Sequence, residues 1–564
     1  MIEGLNPAWV LILGGVLAPL VPPVARRWYL LAVPLLGLSQ ILMLPYGNSG
    51  VWEMFGFTLV TLRLDRLSFV FGLAFLIAAV IASLYSWHVR DKVQHVASLV
   101  YAGAALGALF AGDLITLFVY WEITAISSVF LIWARRTQRA LTTGMRYLII
   151  QVGSGLLLLA GIVLHYRLTG SIEFGHLGLG TLATTLIFVA FGIKCAFPFL
   201  HNWLQDAYPE ATVTGTVVLS VFTTKLAVYA LARGFAGEEI LLTIGVTMTV
   251  FPIFFAIIEN DLRRVLAYSL NNQLGFMVAG IGIGSELALN GTAAHAFAHI
   301  LYKALLFMSM GAVLFRVGTV KASELGGLYK SMPITAGLCI VGAASISAFP
   351  LLSGFVSKSM ILAAVAEEHH WFAWLALLFA SAGVLDHSGI KIPYFSFFSH
   401  DSGLRCAEAP KNMLIAMGIT AALCILIGVY PASLYSILPY PVNFVPYTTM
   451  HVVTQLQLLM FAMLAFAVLM RTGIYPAELR ATNLDFDWIY RKLIPDTVAA
   501  GATWFAGHSA TLGRSLRARR FRLMDGAYRY LGPSSGIRQS PPIGTAVLVL
   551  MAVFAVFVLL VLAT

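Results

Sequence analysis

Apolar runs of roughly 20 residues, the length that crosses a bilayer, recur almost from end to end of this chain. They predict spans near 8–23, 28–44, 67–87, 95–111, 114–133 and 145–166. Others follow near 181–199, 212–232, 240–258, 264–284 and 291–315, then 334–366 (interrupted), 372–398, 413–433, 451–470 and 543–563. The pattern is that of an all-α polytopic membrane protein with about 14–16 transmembrane helices. Two tracts depart from it. Residues 44–66 hold the alternating "WEMFGFTLVTLRLD", which predicts a short strand or hairpin outside the bilayer. Residues 475–542 are polar and aromatic, and "LGRSLRARRFRLMDGAYRYL" has a basic face with apolar positions at helical spacing, as in a helix lying along a membrane surface.

Composition agrees. The 564 residues are 59% hydrophobic and 11% charged, against about 25% charged in soluble domains. The net charge of +10 suggests nucleic acid only until its placement is read. Arg26-Arg27, His88–Lys92 and Arg135, Arg136 and Arg139 follow the first, third and fifth spans, whereas 45–65 and 167–178 carry fewer basic residues. Basic loops stay in the cytoplasm, so this alternation predicts a cytoplasmic (inner) membrane protein with its N-terminus outside and no nucleic-acid partner. The first apolar segment runs into Arg26-Arg27 without a small-residue cleavage pattern, so no cleaved signal is expected. Cys195, Cys339, Cys406 and Cys424 form no CxxC pair and read as small core residues. Haem, iron–sulfur or other cofactors find no support.

Ionisable residues inside apolar spans are the candidate chemistry, because a charge at the centre of a membrane helix costs about 2.5–3.5 kcal/mol even on lenient scales. They are Glu122, Lys194, Lys225, His295, His299, Lys303, Asp386, His387 and Lys391. Snorkelling from a helix end accounts for Asp386 and His387 and in part for Lys303, but poorly for Glu122 and Lys194, which have long apolar flanks. A carboxylate beside a buried lysine sets whether the lysine holds its proton: the interaction is about 4 kcal/mol at 4 Å with an effective dielectric of 20. His295, His299 and Lys303 stand four apart on one helical face. Two of them are a potential zinc pair, but no third ligand accompanies them, and a proton relay fits the stripe better. Residues 192–194 and 389–391 both read Gly-Ile-Lys, with Pro198 and Pro393 just beyond. This echo predicts two broken helices in two halves.

Four ordered blocks then resemble a known family: "IKCAFPFLHNWLQDAYPEATVTGTVVLSVFTTKLAVYALAR" (193–233), "DLRRVLAYSLNNQLGFM" (261–277), "HAFAHILYKALLFMSMG" (295–311) and "SAFPLLSGFVSKSMI" (347–361). With "FVYWEITAIS" (118–127), they resemble the antiporter-like proton-conducting subunits shared by respiratory complex I, membrane-bound hydrogenases and Mrp-type sodium/proton antiporters. The resemblance spans about residues 65–400. It implies two inverted five-helix repeats, each with a broken helix and a buried lysine. By position, Glu122 pairs with Lys194, Lys225 passes the proton inward, His295, His299 and Lys303 form the central stripe, and Lys391 lies near the exit. His201 and Asp206 are accessory candidates with Asp386 and His387. His201–Tyr208 reads HNWLQDAY where the family often has HxWLPDAH, so its proline and second histidine are absent.

"DHSGIKIPYFSFF" and "LDFDWIYRKL" most resemble D-type Mrp subunits. The reading is therefore a proton-translocating subunit of a multisubunit sodium/proton antiporter with membrane partner subunits and no redox chemistry of its own. The rivals are the same module on a redox complex of the complex I or hydrogenase kind, the energising subunit of an inorganic-carbon importer, and a purely structural subunit. No sodium site is legible. The expected organisation is N-terminal spans (1–112), first repeat (113–235), second repeat (236–400), C-terminal spans (401–474), the polar surface segment (475–542) and a terminal span (543–564).

Overall fold

The computed structural model describes residues 6–54, 56–480, 483–531 and 543–562. Two compact units divide it, Met1–Asn483 and Leu484–Thr564. The first unit opens with α1 (Pro7–Leu17) and α2 (Pro23–Met43), followed by an antiparallel hairpin of β1 (Gly47–Met54) and β2 (Phe57–Leu64). The hairpin expected within 44–66 is there. Leu62 and Leu64 point inward on its period of two, and Gly56 takes the left-handed φ of 78° beside the turn.

After α3 (Arg66–Tyr85) come α4 (Lys92–Phe110), α5 (Leu114–Trp133), α6 (Gln138–Thr169), α7 (Leu182–Cys195), α8 (Asn202–Ala207), α9 (Val213–Val221) and α10 (Thr223–Gly234). A second set has the same plan: α11 (Glu239–Ile258), α12 (Leu262–Ile283), α13 (Glu286–Val317), α14 (Pro333–Ile346), α15 (Ser353–Glu367), α16 (Trp371–Val384) and α17 (Lys391–Pro393). Helices of 19, 20 and 32 residues are matched by helices of 20, 22 and 32. Asp113 caps α5 and bridges to Glu173 after α6, while Asp261 caps α12 and bridges to Lys321 after α13. These are the two repeats. The unit closes with α18 (Lys411–Val429), α19 (Ala432–Tyr435) and α20 (Thr449–Thr472), and the second unit holds α21 (Ile494–Leu531) and α22 (Ile543–Leu562).

Each repeat has a broken helix, and the two breaks share a sequence. "AFPFL" at 196–200 separates α7 from α8, and "AFPLL" at 348–352 separates α14 from α15. Ala196 and Phe199 take φ of 61° and 69°, and Ala348 and Leu351 take 58° and 71°. The local hydrogen bonds repeat too: Phe197 N donates to Gly192 O, and Phe349 N to Ala344 O, both at 3.0 Å. The second break therefore lies at 347–352 and not at the Gly-Ile-Lys of 389–391. Around Pro393 the helix continues from α16 through π-helical turns at Leu385–Ile390 and Tyr394–Phe398. A π-turn accommodates the missing proline N–H without interrupting the helix.

Ten helices are long and apolar enough to cross a membrane among the described residues, and four shorter apolar ones accompany them. Helix α12 is absent from both groups. It carries Arg263, Arg264, Asn271, Asn272 and Gln273, but nearly all of it is buried in protein, so its polar residues do not face lipid. It packs on α11 at glycine: a Cβ on Gly275 would meet Gly245 O at 2.6 Å.

Candidate functional site

The expected ionisable residues converge on the interior of the first unit. Lys194, Lys225, His295, His299, Lys303, His387 and Lys391 are all 0% exposed. A buried cation needs partners; Lys194, Lys225, His387 and Lys391 stand beside irregularities of their helices, while His295, His299 and Lys303 line the unbroken α13. Lys194 sits in the last turn of α7, just before the break. Its Nζ donates to Trp121 O at 2.6 Å and Thr124 Oγ1 at 3.0 Å and lies 4.3 Å from the Trp121 ring centroid. Glu122, on the same stretch of α5, acts on Lys194 across space without forming an ion pair with it among the described residues. Lys225 follows the join of α9 and α10 at Phe222, and its Nζ donates to Ser220 O at 2.6 Å.

The stripe on α13 continues from there. Lys303 and His299 lie within electrostatic range of Lys225, and His299 within range of His295. His295 Nδ1 is 3.0 Å from Ser357 Oγ on α15, and Tyr302 OH donates to Gln273 Oε1 at 3.1 Å. Both ring nitrogens of His299, Lys303 Nζ, His387 Nε2 and the Asn271 amide are buried with no protein partner among the described residues. Buried polar atoms of this kind take ordered water. No cluster of three or more His, Cys, Asp or Glu suited to a metal exists among the described residues.

Lys358 belongs to the same set. It is 1% exposed, its Nζ donates to Ile346 O at 3.1 Å, and it lies 5.0 Å from the Phe276 ring centroid. Ile346 stands at the second break where Lys194 stands at the first, so Lys358 sets a cation against the equivalent position. A lone charge in the run 353–366 was the available signal. His387 then links Lys303 and Lys358 to Lys391. Its Nδ1 is 2.8 Å from Ser388 Oγ, which donates to Ser269 Oγ at 2.6 Å. His387 is thus an interior residue and not a snorkelling one.

Lys391 ends the run. Its Nζ donates to Ile257 O at 2.6 Å and lies 2.8 Å from Glu478 Oε1, in a pair whose side chains are 0% and 7% exposed. Half-buried Asp386 is close by. The other accessory candidates stand apart: Asp206 pairs with Arg146 at 2.8 Å, and the buried His201 ring lies 4.7 Å from the Phe251 centroid.

This geometry defines a multi-pass membrane protein with two repeats joined by a buried line of lysines and histidines. Residues 111–384 match the family model described as "NADH:quinone oxidoreductase/Mrp antiporter, TM". Over that stretch the chain is similar to the antiporter-like membrane subunits that the family model describes. It is 30% identical over 405 residues to the A/B-type subunit of a probable K(+)/H(+) antiporter from Rhizobium meliloti (strain 1021), covering 66% of this chain and 40% of that protein. It is 32% identical over 314 residues to the D-type subunit of the Na(+)/H(+) antiporter from Alkalihalophilus pseudofirmus, covering 52% and 63%. The chain thus spans less than two thirds of either relative. By fold it is similar to a chain of the membrane-bound sulfane sulfur reductase, an archaeal respiratory membrane complex, with a TM-score of 0.71 at 22% identity, covering 97% of this chain and 99% of that one.

Proposed function

We propose that this chain is the proton-translocating subunit of a multisubunit cation/proton antiporter of the cytoplasmic membrane, of the D type, in a complex that exchanges Na+ for H+. The observation that carries the reading is the run of buried basic groups from Lys194 through Lys225, Lys303, His299, His295, Lys358 and His387 to Lys391. A structural core has no need of so many desolvated cations, and the membrane makes each of them costly. In this reading Glu122 sets the charge of Lys194, Lys225 passes the proton to the α13 stripe, and His387 hands it on to Lys391. Water held by the unpartnered nitrogens carries it between side chains. Sodium movement belongs to partner subunits.

A second reading keeps the same path and attaches it to a redox arm. It is favoured by the likeness to the sulfane sulfur reductase chain, which extends over almost the whole length of both. Ion flux in inverted vesicles carrying the whole complex separates the two. Sodium-dependent collapse of a preformed pH gradient, lost in Glu122→Gln, supports the antiporter. A gradient built only on addition of an electron donor favours the redox complex, and wild-type behaviour of Glu122→Gln in both assays overturns the relay.

A further inference from the structure

Lys391 finds its carboxylate outside both repeats. After α20 the chain turns at Gly473 and runs back over the second repeat as a strap. Tyr475 is buried there, its ring 6.4 Å from Phe395 and 5.1 Å from Phe466. Arg480 holds the strap at Glu324, 3.3 Å away, and Asn483 Nδ2 donates to Ile258 O at 3.3 Å. Between Tyr475 and Arg480, Glu478 alone turns inward: its carboxylate meets Lys391 while Ala477 and Leu479 on either side are exposed. In the first repeat the carboxylate that acts on Lys194 across space is Glu122 of its own α5. The corresponding helix of the second repeat, α12, has Leu270, Asn271 and Asn272 in that region and no carboxylate.

We propose that Glu478 is the last proton station of this chain, taking the proton from Lys391 and delivering it to the solvent side of the strap. The inference rests on the relay reading above and adds a residue and a segment to it. The step balances: an N–H bond of the Lys391 ammonium breaks and an O–H bond forms on Glu478, leaving a neutral amine and a neutral acid. Glu478 then loses the proton to water, and Lys391 is reloaded from the His387 side. The groups facing the pair are Asp386 and Glu259 around Lys391, and Glu259 and Tyr475 around Glu478. Glu259 is itself held 3.5 Å from Arg264 Nε. Burial lifts the Glu478 carboxyl above the ordinary glutamate range against the pull of Lys391, which suits a group that must accept a proton and then release it. With one shielded carboxylate between two exposed neighbours, the strap offers a short way out.

The test compares Glu478→Gln, Glu478→Asp, Arg480→Gln and Glu122→Gln in the assembled complex in inverted vesicles, reading proton flux against pH. Glu478→Gln is expected to lower flux at least tenfold at normal complex abundance, and Glu478→Asp to recover part of it with a displaced pH profile. Arg480→Gln, which loosens the strap without touching the carboxylate, is expected to keep the wild-type profile. Wild-type flux and profile in Glu478→Gln, or equal losses in Glu478→Gln and Arg480→Gln, overturn the proposal and leave a tether. If Glu122→Gln is inactive while Glu478→Gln is normal, only this inference fails; if both run at the wild-type rate, the relay reading fails with it.

Discussion

Gly155 on α6 leaves the space that the Glu122 carboxylate occupies: a Cβ at Gly155 would overlap Glu122 Oε1. The atom in the way is the far end of a flexible side chain, so a methyl group there displaces the carboxylate and not the helices.

Gly155→Ala is therefore expected to assemble normally and to lose proton-coupled flux roughly tenfold, about 1.4 kcal/mol in the barrier, in the manner of Glu122→Gln. Flux in vesicles together with thermal stability of the purified complex checks this. A destabilised protein with normal flux per molecule would show that Gly155 serves packing alone.

The Lys391–Glu478 pair makes a separate prediction about stability. Removing one partner of a buried ion pair costs about 3–5 kcal/mol, whereas replacing both by apolar groups of similar size is often neutral. Lys391→Ala and Glu478→Ala should each lower the melting temperature well below that of the double variant Lys391→Met/Glu478→Leu. Additive losses in a thermal-shift series would mean that the two charges do not depend on one another.

The loops after α3 and α5 lie on one side of the membrane, because Arg136 pairs with Asp91 at 3.3 Å. Arg135 and Arg139 both reach Glu210 beyond α8, which places that end of the first broken helix on the same side. We expect this to be the cytoplasmic side. Arg136→Cys in a Cys406→Ser background should react with an impermeant thiol reagent in inverted vesicles and not in intact cells; the opposite result reverses the topology.

The two breaks hold alanine in the left-handed region, which costs an L-residue roughly 1–2 kcal/mol relative to helix. Ala196→Gly and Ala348→Gly should each be tolerated and raise thermal stability slightly, while valine at either position should lower it. Calorimetry or thermal shift decides, and destabilisation by glycine would mean that the methyl groups matter more than the backbone.

Much of this was legible in the chain because a charge inside an apolar run has no cheap explanation. Glu122, Lys194, Lys225, His295, His299 and Lys303 stand out by that argument alone, and the structure buries the five basic ones while Glu122 is half-buried within reach of Lys194. The second break was misread because Gly-Ile-Lys is conspicuous and "AFPLL" is not, although the backbone turns on the latter. Lys358 was open to the same argument as Lys194 but lies among serines that soften the contrast. Glu478 was not legible at all. A carboxylate in a polar stretch carries no signal until the fold brings that stretch back onto Lys391.

The burial of α12 bears on how the chain enters the bilayer. A helix is admitted to the membrane largely on its own transfer free energy, and polar side chains count most against it at the span's centre. With Asn271, Asn272 and Gln273 at its middle and Arg263 and Arg264 in its first turn, α12 is a poor candidate for solitary insertion. Its glycine contact with α11 offers the remedy: the two enter as a hairpin, the polar side of α12 shielded from the start. Nascent chains truncated after α12 should then integrate it only when α11 is intact, and α12 grafted alone into a host protein should be rejected by the insertion machinery.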